Sequence, residues 1–276
     1  MELPVAKPAL KAALLSPQRP LGEHPLLLVG PSLGTSSILW NRAASLLGTD
    51  YDVVAWDLPG HGVSPAATET FDVAALADAV VDLADSIAPG ENFHYAGVSL
   101  GGAVGLQLGI SHGERLKSLS VQNSGAKIGT PEGWLERAET VRTQGTPVMI
   151  QGSAERWFAP GFMDSQPELS SRLLHALRDA DRFSYAFCCE ALAAFDVRAE
   201  LGSIRVPTQV IAGALDGVAT PSMAADVAAG ITGGGGTATA VTLEGIAHLA
   251  PAEAPAHVAE LMRGLISWAE SQVAAK

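Results

Sequence analysis

The sequence predicts an α/β fold, in which a doubly wound, mostly parallel sheet carries a helical cap insertion. Two observations predict this fold class. Short apolar runs alternate with segments of helical periodicity, and this alternation stops between about residues 126 and 201, a segment that shows no clear strand. At 276 residues the chain fits one domain, 1–276, with a core of about 1–125 and 202–276 and a cap of about 126–201.

Six apolar runs are the predicted strands. Each run is short and uninterrupted, which is typical of strands that are buried on both faces of a parallel sheet. Between the second and third runs, residues 71–87 place Val73, Leu76, Val80 and Ala84 three or four apart, which predicts an amphipathic helix. The six runs are 26–29, 51–56, Phe93–Val98, 116–121, 208–212 and 237–243.

Composition and charge exclude several classes of function. Hydrophobic residues make up 47% and charged residues 17%, which suits a large core and is unlike a disordered chain. The net charge of −12 repels nucleic acid and anionic membrane surfaces. No apolar run approaches the roughly 18 residues of a membrane helix, and the N-terminus lacks a signal-peptide pattern. Because Cys188 and Cys189 are adjacent and poorly placed for a disulfide, we predict a cytoplasmic protein.

The third predicted strand leads into a G-x-S-x-G motif, Gly97-Val98-Ser99-Leu100-Gly101. A nucleophilic serine in this position needs a sharp, strained turn, and side chains two residues away on either side would collide with the neighbouring strand and helix. The small apolar residues that follow predict a helix whose free N–H groups favour an oxyanion. Ser99 is therefore the candidate nucleophile.

A serine nucleophile needs a base, and the base needs an orienting carboxylate. In an open parallel sheet these groups are expected just beyond the carboxyl ends of the strands. Asp216 follows the run 208–212, and His248 follows the run 237–243. The order serine, acid, histidine fits a catalytic triad on this type of sheet. We predict Asp216 as the orienting acid and His248 as the base.

Other histidines and carboxylates compete for these roles. His61 follows a predicted strand, but it precedes the serine and lies in a glycine-rich turn where a structural role is more natural. Asp57 is expected to stabilise its own turn. Asp196 and Asp226 lack the position at a strand end.

An oxyanion hole needs two backbone N–H groups, one from the residue after the nucleophile and one from the loop after an earlier strand. Leu100 supplies the first, and Leu33 in the loop 30–35 is the candidate for the second. The alternative is that this loop is a purely structural turn. No His, Cys and Asp cluster has the spacing of a metal site, so neither a metal nor an organic cofactor is expected.

Over nearly its whole length the chain resembles the α/β-hydrolases, and more narrowly the 3-oxoadipate enol-lactonases of aromatic-acid catabolism. Most α/β-hydrolases share the nucleophile motif and the Asp-Leu-Pro-Gly-His-Gly turn at 57–62. The Ser-Leu-Gly-Thr loop at 32–35 and the Arg-Trp-Phe at 156–158 are narrower signals. One departure from the superfamily is Pro31-Ser32, which replaces the usual His-Gly of the oxyanion loop.

This resemblance implies ring opening of 3-oxoadipate enol-lactone to 3-oxoadipate, in protocatechuate and catechol catabolism. The partner is then a small anionic lactone, and the oligomeric state stays undetermined. Two other interpretations remain open. One is an α/β-hydrolase of other specificity, such as a carboxylesterase, a carbon–carbon bond hydrolase or a perhydrolase, and the other is a non-catalytic ligand receptor on the same fold.

An anionic lactone needs a cation beneath the cap. The arginines and aromatic residues available there are Arg137, Arg142, Arg156, Arg182, Trp134, Trp157 and Phe158. Of these we predict Trp134, Arg137, Arg156 and Trp157 as substrate-binding residues, because aromatic walls exclude water and arginine pairs with carboxylate. The alternative is that the aromatics only pack the cap on the core and the arginines only carry surface charge.

Overall fold

The computed structural model describes residues 6–15 and 21–274, and in these residues seven strands form one sheet. The strands are β1 (Lys11–Leu14), β2 (Leu26–Gly30), β3 (Asp52–Asp57), β4 (Phe93–Val98), β5 (Leu116–Gln122), β6 (Thr208–Gly213) and β7 (Ala238–Leu243). Their order is β1-β3-β2-β4-β5-β6-β7, and every pair is parallel except β1 with β3. The predicted fold class is confirmed, because all six predicted strands lie in this sheet. The prediction that each strand is buried is wrong for β7, which lies at the sheet edge and is half-buried or exposed.

Helices cover both faces of the sheet. They are α1 (Asn41–Leu47), α2 (Val73–Ile87), α3 (Leu100–Ser111), α4 (Pro131–Gln144), α5 (Ile150–Trp157), α6 (Phe162–Ser165), α7 (Pro167–Asp179), α8 (Arg182–Ala194), α9 (Pro221–Gly233), α10 (Ala250–Glu253) and α11 (Pro255–Ala274). Successive residues of a strand point to opposite faces. On one face the Tyr95 hydroxyl donates to the Gly101 carbonyl of α3 at 2.9 Å. On the other, His94 Nε2 lies 3.6 Å from the Glu270 carboxylate of α11.

The edge strand β1 was not predicted from the sequence. Its residues are exposed or half-buried, and four residues carry no apolar run that would mark a strand. The strand exists because it pairs with β3, where Lys11 is opposite Asp57 and Leu14 is opposite Val54. Pairing at a sheet edge is a tertiary contact, which local composition does not reveal.

The amphipathic helix α2 begins at Val73, two residues later than the apolar pattern indicates. Asp72 has extended backbone angles, and its side chain accepts a hydrogen bond from the Ala75 N–H at 2.7 Å. This is an N-cap, and it satisfies one of the free N–H groups of the first turn. Phe71 is buried just before the cap and contributes to the core from outside the helix.

Between β5 and β6 the chain leaves the sheet, and the five helices α4 to α8 lie in this segment. Asp181 joins this cap to the core. Its side chain caps α8 by accepting the Ser184 N–H at 2.8 Å, and its own N–H donates to the Gly60 carbonyl at 2.8 Å. Since Gly60 follows the carboxyl end of β3, the cap is anchored at the sheet edge where a ligand site is expected.

The two cysteines are free thiols in α8, and both are buried. Burial raises the pKa of the Cys189 thiol to about 12 and raises that of Cys188 as well, so neither is a thiolate nucleophile near neutral pH. Across residues 6–15 and 21–274, no helix has both the length and the apolar character that crossing a membrane requires.

Candidate active site

Ser99 lies at a strained turn between β4 and α3. Its backbone angles are φ 55° and ψ −115°, and among the described non-glycine residues only Ser99 and Asn123 have a positive φ. The flanking glycines make this turn possible. A Cβ at Gly97 would collide with the Gly101 carbonyl, and a Cβ at Gly101 would lie 2.7 Å from the Pro31 carbonyl oxygen. The backbone therefore requires glycine on both sides of the serine.

Hydrogen bonds from the next strand hold the serine turn in place. The Ser99 N–H donates to the Gln122 carbonyl at 2.9 Å, and the Ser99 carbonyl accepts from the Ser124 hydroxyl at 2.7 Å. Ser99 is only 6% exposed, yet it lines a cavity of about 260 Å³ beneath the cap. The cavity is its route to a small molecule.

Asp216 and His248 are brought together by the carboxyl ends of β6 and β7. His248 Nδ1 lies 2.8 Å from Asp216 Oδ2, both residues are buried, and His248 lines the same cavity as Ser99. Asp216 Oδ1 accepts the N–H groups of Val218 at 2.8 Å and Ala219 at 3.1 Å. Burial disfavours the charged carboxylate, but the hydrogen bond from His248 and these two N–H groups hold the pKa of Asp216 below its usual value. The acid is therefore ionised and fixed in orientation.

Asn123 also belongs to the group of residues around Asp216 and His248, although it was not predicted from the sequence. It follows β5 with φ 46°, and its amide nitrogen donates to Asp216 Oδ2 at 3.0 Å and to the Ala247 carbonyl at 2.9 Å. The same carboxylate oxygen therefore contacts both His248 and Asn123. Its signal in the sequence was its place directly after a buried strand. Asparagine is also a residue type that tolerates a positive φ.

The two predicted oxyanion donors flank the serine turn. Leu33 lines the cavity with Ser99, and Leu100 is the first residue of α3. The loop that carries Leu33 is held by His61, because the Gly34 N–H donates to His61 Nε2 at 3.3 Å. His61 Nδ1 lies 2.9 Å from the Pro59 carbonyl and donates to it.

His61 therefore supports the loop that carries Leu33. It is buried, it stacks on Tyr185 at 6.0 Å between ring centroids, and burial lowers its pKa to about 4. With Nδ1 donating and Nε2 accepting, both ring nitrogens are occupied in the neutral form. Asp57 likewise has a structural role, since it accepts the Val63 N–H of its own turn at 2.9 Å and the Ser37 N–H of a separate loop at 2.6 Å.

The cap supplies one wall of the cavity. All four of the cap residues predicted to bind substrate line it, namely Trp134, Arg137, Arg156 and Trp157. The Arg137 guanidinium lies 4.7 Å from the centroid of the Trp134 ring, and the Trp134 indole donates to the Ile128 carbonyl at 2.5 Å. Phe158 is not among the lining residues, and it stacks on Phe162 at 5.2 Å.

The four cap arginines named in the sequence analysis differ in their partners. In residues 6–15 and 21–274, Arg137 and Arg156 form no ion pair, whereas Arg142 pairs with Glu190. Arg182 lies over the ring of Phe183 and outside the cavity. Burial, together with the nearby charge of Arg137, lowers the pKa of Arg156. Two arginines without an ion pair among the described residues therefore lie side by side at this wall of the cavity.

The fold, the serine turn and the Asp–His pair together define the class of protein. A model of the alpha/beta hydrolase family matches residues 26–261, and the chain belongs to that family. The chain is 39% identical to 3-oxoadipate enol-lactonase 2 of Acinetobacter baylyi over 199 residues, which are 72% of this chain and 74% of that protein. It is 37% identical to 3-oxoadipate enol-lactonase 1 of the same organism over 196 residues, 71% of this chain and 73% of that protein.

Among solved structures, the chain is similar to the enol-lactonase from Burkholderia xenovorans LB400. The two superpose with a TM-score of 0.87 at 28% identity, over 96% of this chain and all of that chain. These comparisons show that the protein is an α/β-hydrolase enzyme and that it is moderately similar to the 3-oxoadipate enol-lactonases.

Proposed function

We propose that the protein is a serine hydrolase that opens 3-oxoadipate enol-lactone to 3-oxoadipate. The observation that carries this proposal is the shared cavity, in which Ser99 and the Asp216-bound His248 face the unpaired guanidinium groups of Arg137 and Arg156. The nucleophile and its base supply acyl transfer, and the arginines supply charge for a carboxylate-bearing lactone. The cytoplasmic location stays a prediction from the sequence.

In the proposed first step, Ser99 Oγ forms a bond to the lactone carbonyl carbon while its proton passes to His248 Nε2. Asp216 holds the imidazole by Nδ1 and stabilises the imidazolium that forms. The Leu33 and Leu100 N–H groups stabilise the oxyanion of the tetrahedral intermediate. The ring C–O bond then breaks, and the enolate that leaves is protonated from His248 and becomes a ketone.

The ring-opened product stays attached to Ser99 as an acyl ester. Water gives a proton to His248 and attacks this ester carbonyl, and the Ser99 oxygen departs with the proton that His248 returns. The released acid is 3-oxoadipate. Because the leaving group of the first step is a stabilised enolate, its departure is easier than that of a simple alkoxide.

The first test compares two substrates. The ultraviolet absorbance loss of freshly generated enol-lactone is followed beside hydrolysis of a neutral p-nitrophenyl ester, with the wild-type protein and Ser99→Ala. Fast, serine-dependent lactone opening with poor ester turnover supports the proposal. Ester turnover without lactone opening would indicate an α/β-hydrolase of other specificity, and turnover of neither would favour a non-catalytic receptor.

Arg156→Gln is expected to lower kcat/KM for the lactone and to leave the neutral ester unaffected. A hydrogen bond to a charged group is worth about 1.5 to 3 kcal/mol, so the loss is about tenfold to a hundredfold. Arg182→Gln, an exposed cap arginine outside the cavity, is the matched control and should match the wild type. Unchanged lactone kinetics in both Arg156→Gln and Arg137→Gln would place the substrate carboxylate elsewhere.

Asn123→Gly is expected to lower kcat/KM about tenfold to a hundredfold, through misplacement of the Asp–His pair. Glycine keeps the positive φ without strain, so the variant removes the amide contacts to Asp216 and Ala247 and little else. Steady-state kinetics and urea unfolding measure the two effects separately. The control is the exposed Asn92→Gly, and wild-type kinetics in Asn123→Gly would show that the amide does not position the acid.

A further inference from the structure

We infer that Glu253 is a positioning residue that fixes His248 and couples its loop to the cap wall of the cavity. This inference rests on the proposed role of His248 as the base. Glu253 is the last residue of α10, the single turn of helix that follows the histidine loop, and it does not line the cavity. Its effect on the reaction therefore passes through other residues.

One carboxylate oxygen of Glu253 accepts hydrogen bonds from the backbone on both sides of the histidine. Glu253 Oε1 accepts the Ala247 N–H at 3.1 Å and the Leu249 N–H at 3.3 Å. The N–H groups of the residues before and after His248 thus share one acceptor. Because the imidazole position depends on the backbone that carries it, this anchor limits rotation of the base away from Asp216.

The other oxygen reaches into the cap. Glu253 Oε2 accepts the Ala159 N–H at 2.7 Å, and the N–H of His248 itself donates to the Trp157 carbonyl at 3.2 Å. One hydrogen bond therefore joins Trp157 directly to His248, and the other joins Ala159 to Glu253, which in turn holds Ala247 and Leu249. Since the Trp157 side chain lines the cavity, the wall that meets the substrate and the loop that carries the base form one unit.

The arrangement calls for a carboxylate and not an amide. Three N–H donors converge on two oxygens, and the side-chain amide of glutamine offers only one acceptor. Burial raises the pKa of Glu253, while the three N–H groups and the attraction of His248 oppose this shift.

The test is Glu253→Gln in the full chain, with the lactone as substrate. We expect kcat to fall about tenfold to a hundredfold, the cost of a misplaced base. KM for the lactone should change little, because Glu253 does not line the cavity. Protection of the Ala159 and Leu249 amides from hydrogen exchange should decrease together. Glu260→Gln, an exposed glutamate on α11, is the control and should match the wild type.

Glu253→Asp is the second variant, because it keeps the charge and withdraws it by one methylene group. We expect it to recover part of the kcat that Glu253→Gln loses, because both of its oxygens remain acceptors. Unchanged kcat and unchanged amide protection in Glu253→Gln would overturn the inference, as would a loss of folding in both variants, which would make Glu253 a requirement of the fold. A wild type that turns over neither substrate would overturn the proposed function instead, and the paired loss of amide protection would then decide the Glu253 coupling alone.

Discussion

Ser99→Ala is expected to lower kcat for lactone opening by at least about a thousandfold while the protein stays folded. The variant removes the oxygen that attacks the carbonyl and leaves the cavity, the Asp216–His248 pair and the backbone of the turn in place. Alanine meets the same positive φ as serine, so the free energy of unfolding should change little. Single-turnover absorbance and urea unfolding measure the two quantities.

The matched control is Ser86→Ala, at an exposed position on α2, which should retain the kinetics of the wild type. A fluorophosphonate reagent should label the wild type and Ser86→Ala at one site and should not label Ser99→Ala. Turnover retained by Ser99→Ala would contradict the acyl-enzyme mechanism. In that case the cavity would have to act on water directly.

Asp216→Asn is expected to lower kcat about a thousandfold to ten-thousandfold, as expected when the base is held in the wrong tautomer. The N–H groups of Val218 and Ala219 bind Oδ1, so an asparagine would keep its carbonyl oxygen there. Its amide nitrogen would then replace Oδ2 and donate to His248 Nδ1. The proton of His248 would be forced to Nε2, where it blocks acceptance of the Ser99 proton.

This prediction is checked by the pH dependence of kcat and by the NMR chemical shifts of the His248 ring, which report the tautomer. The exposed Asp226→Asn is the control with the same chemical change, and it should match the wild type. Kinetics of Asp216→Asn close to those of the wild type would mean that another group orients the base. Asn123 could not do so, because its amide nitrogen already donates towards Asp216.

The sequence predicted the sheet and the placement of Asp216 and His248 at the ends of neighbouring strands, for a physical reason. Buried parallel strands must be apolar, so their runs are visible, and their carboxyl ends meet at one edge of the sheet. A polar residue directly after one such run therefore lies close to the polar residues that follow the neighbouring runs. Asp216 and His248 meet in this way although they are 32 positions apart along the chain. The glycines of the serine turn were visible for a similar reason, since the close approach of Gly97 and Gly101 to backbone excludes any side chain.

The partners of the cap arginines could not be predicted from the sequence. Arg137, Arg142 and Arg156 are alike in residue type and segment, but only the packed cap decides that Arg142 meets Glu190 while the other two line the cavity. No periodicity predicts such a choice, because it depends on which helix faces which.

The contacts of β1 and Glu253 were also decided by the tertiary structure. The edge strand β1 lacks an apolar run, and Glu253 resembles any glutamate at a helix end until its oxygens meet Ala247, Leu249 and Ala159. By itself the sequence determined the sheet, the serine turn and the positions of Asp216 and His248, because each is set by local patterns or by the geometry common to parallel sheets. Only the tertiary structure decided how the cap and the histidine loop are joined, because those hydrogen bonds link residues 94 and 91 positions apart in the chain.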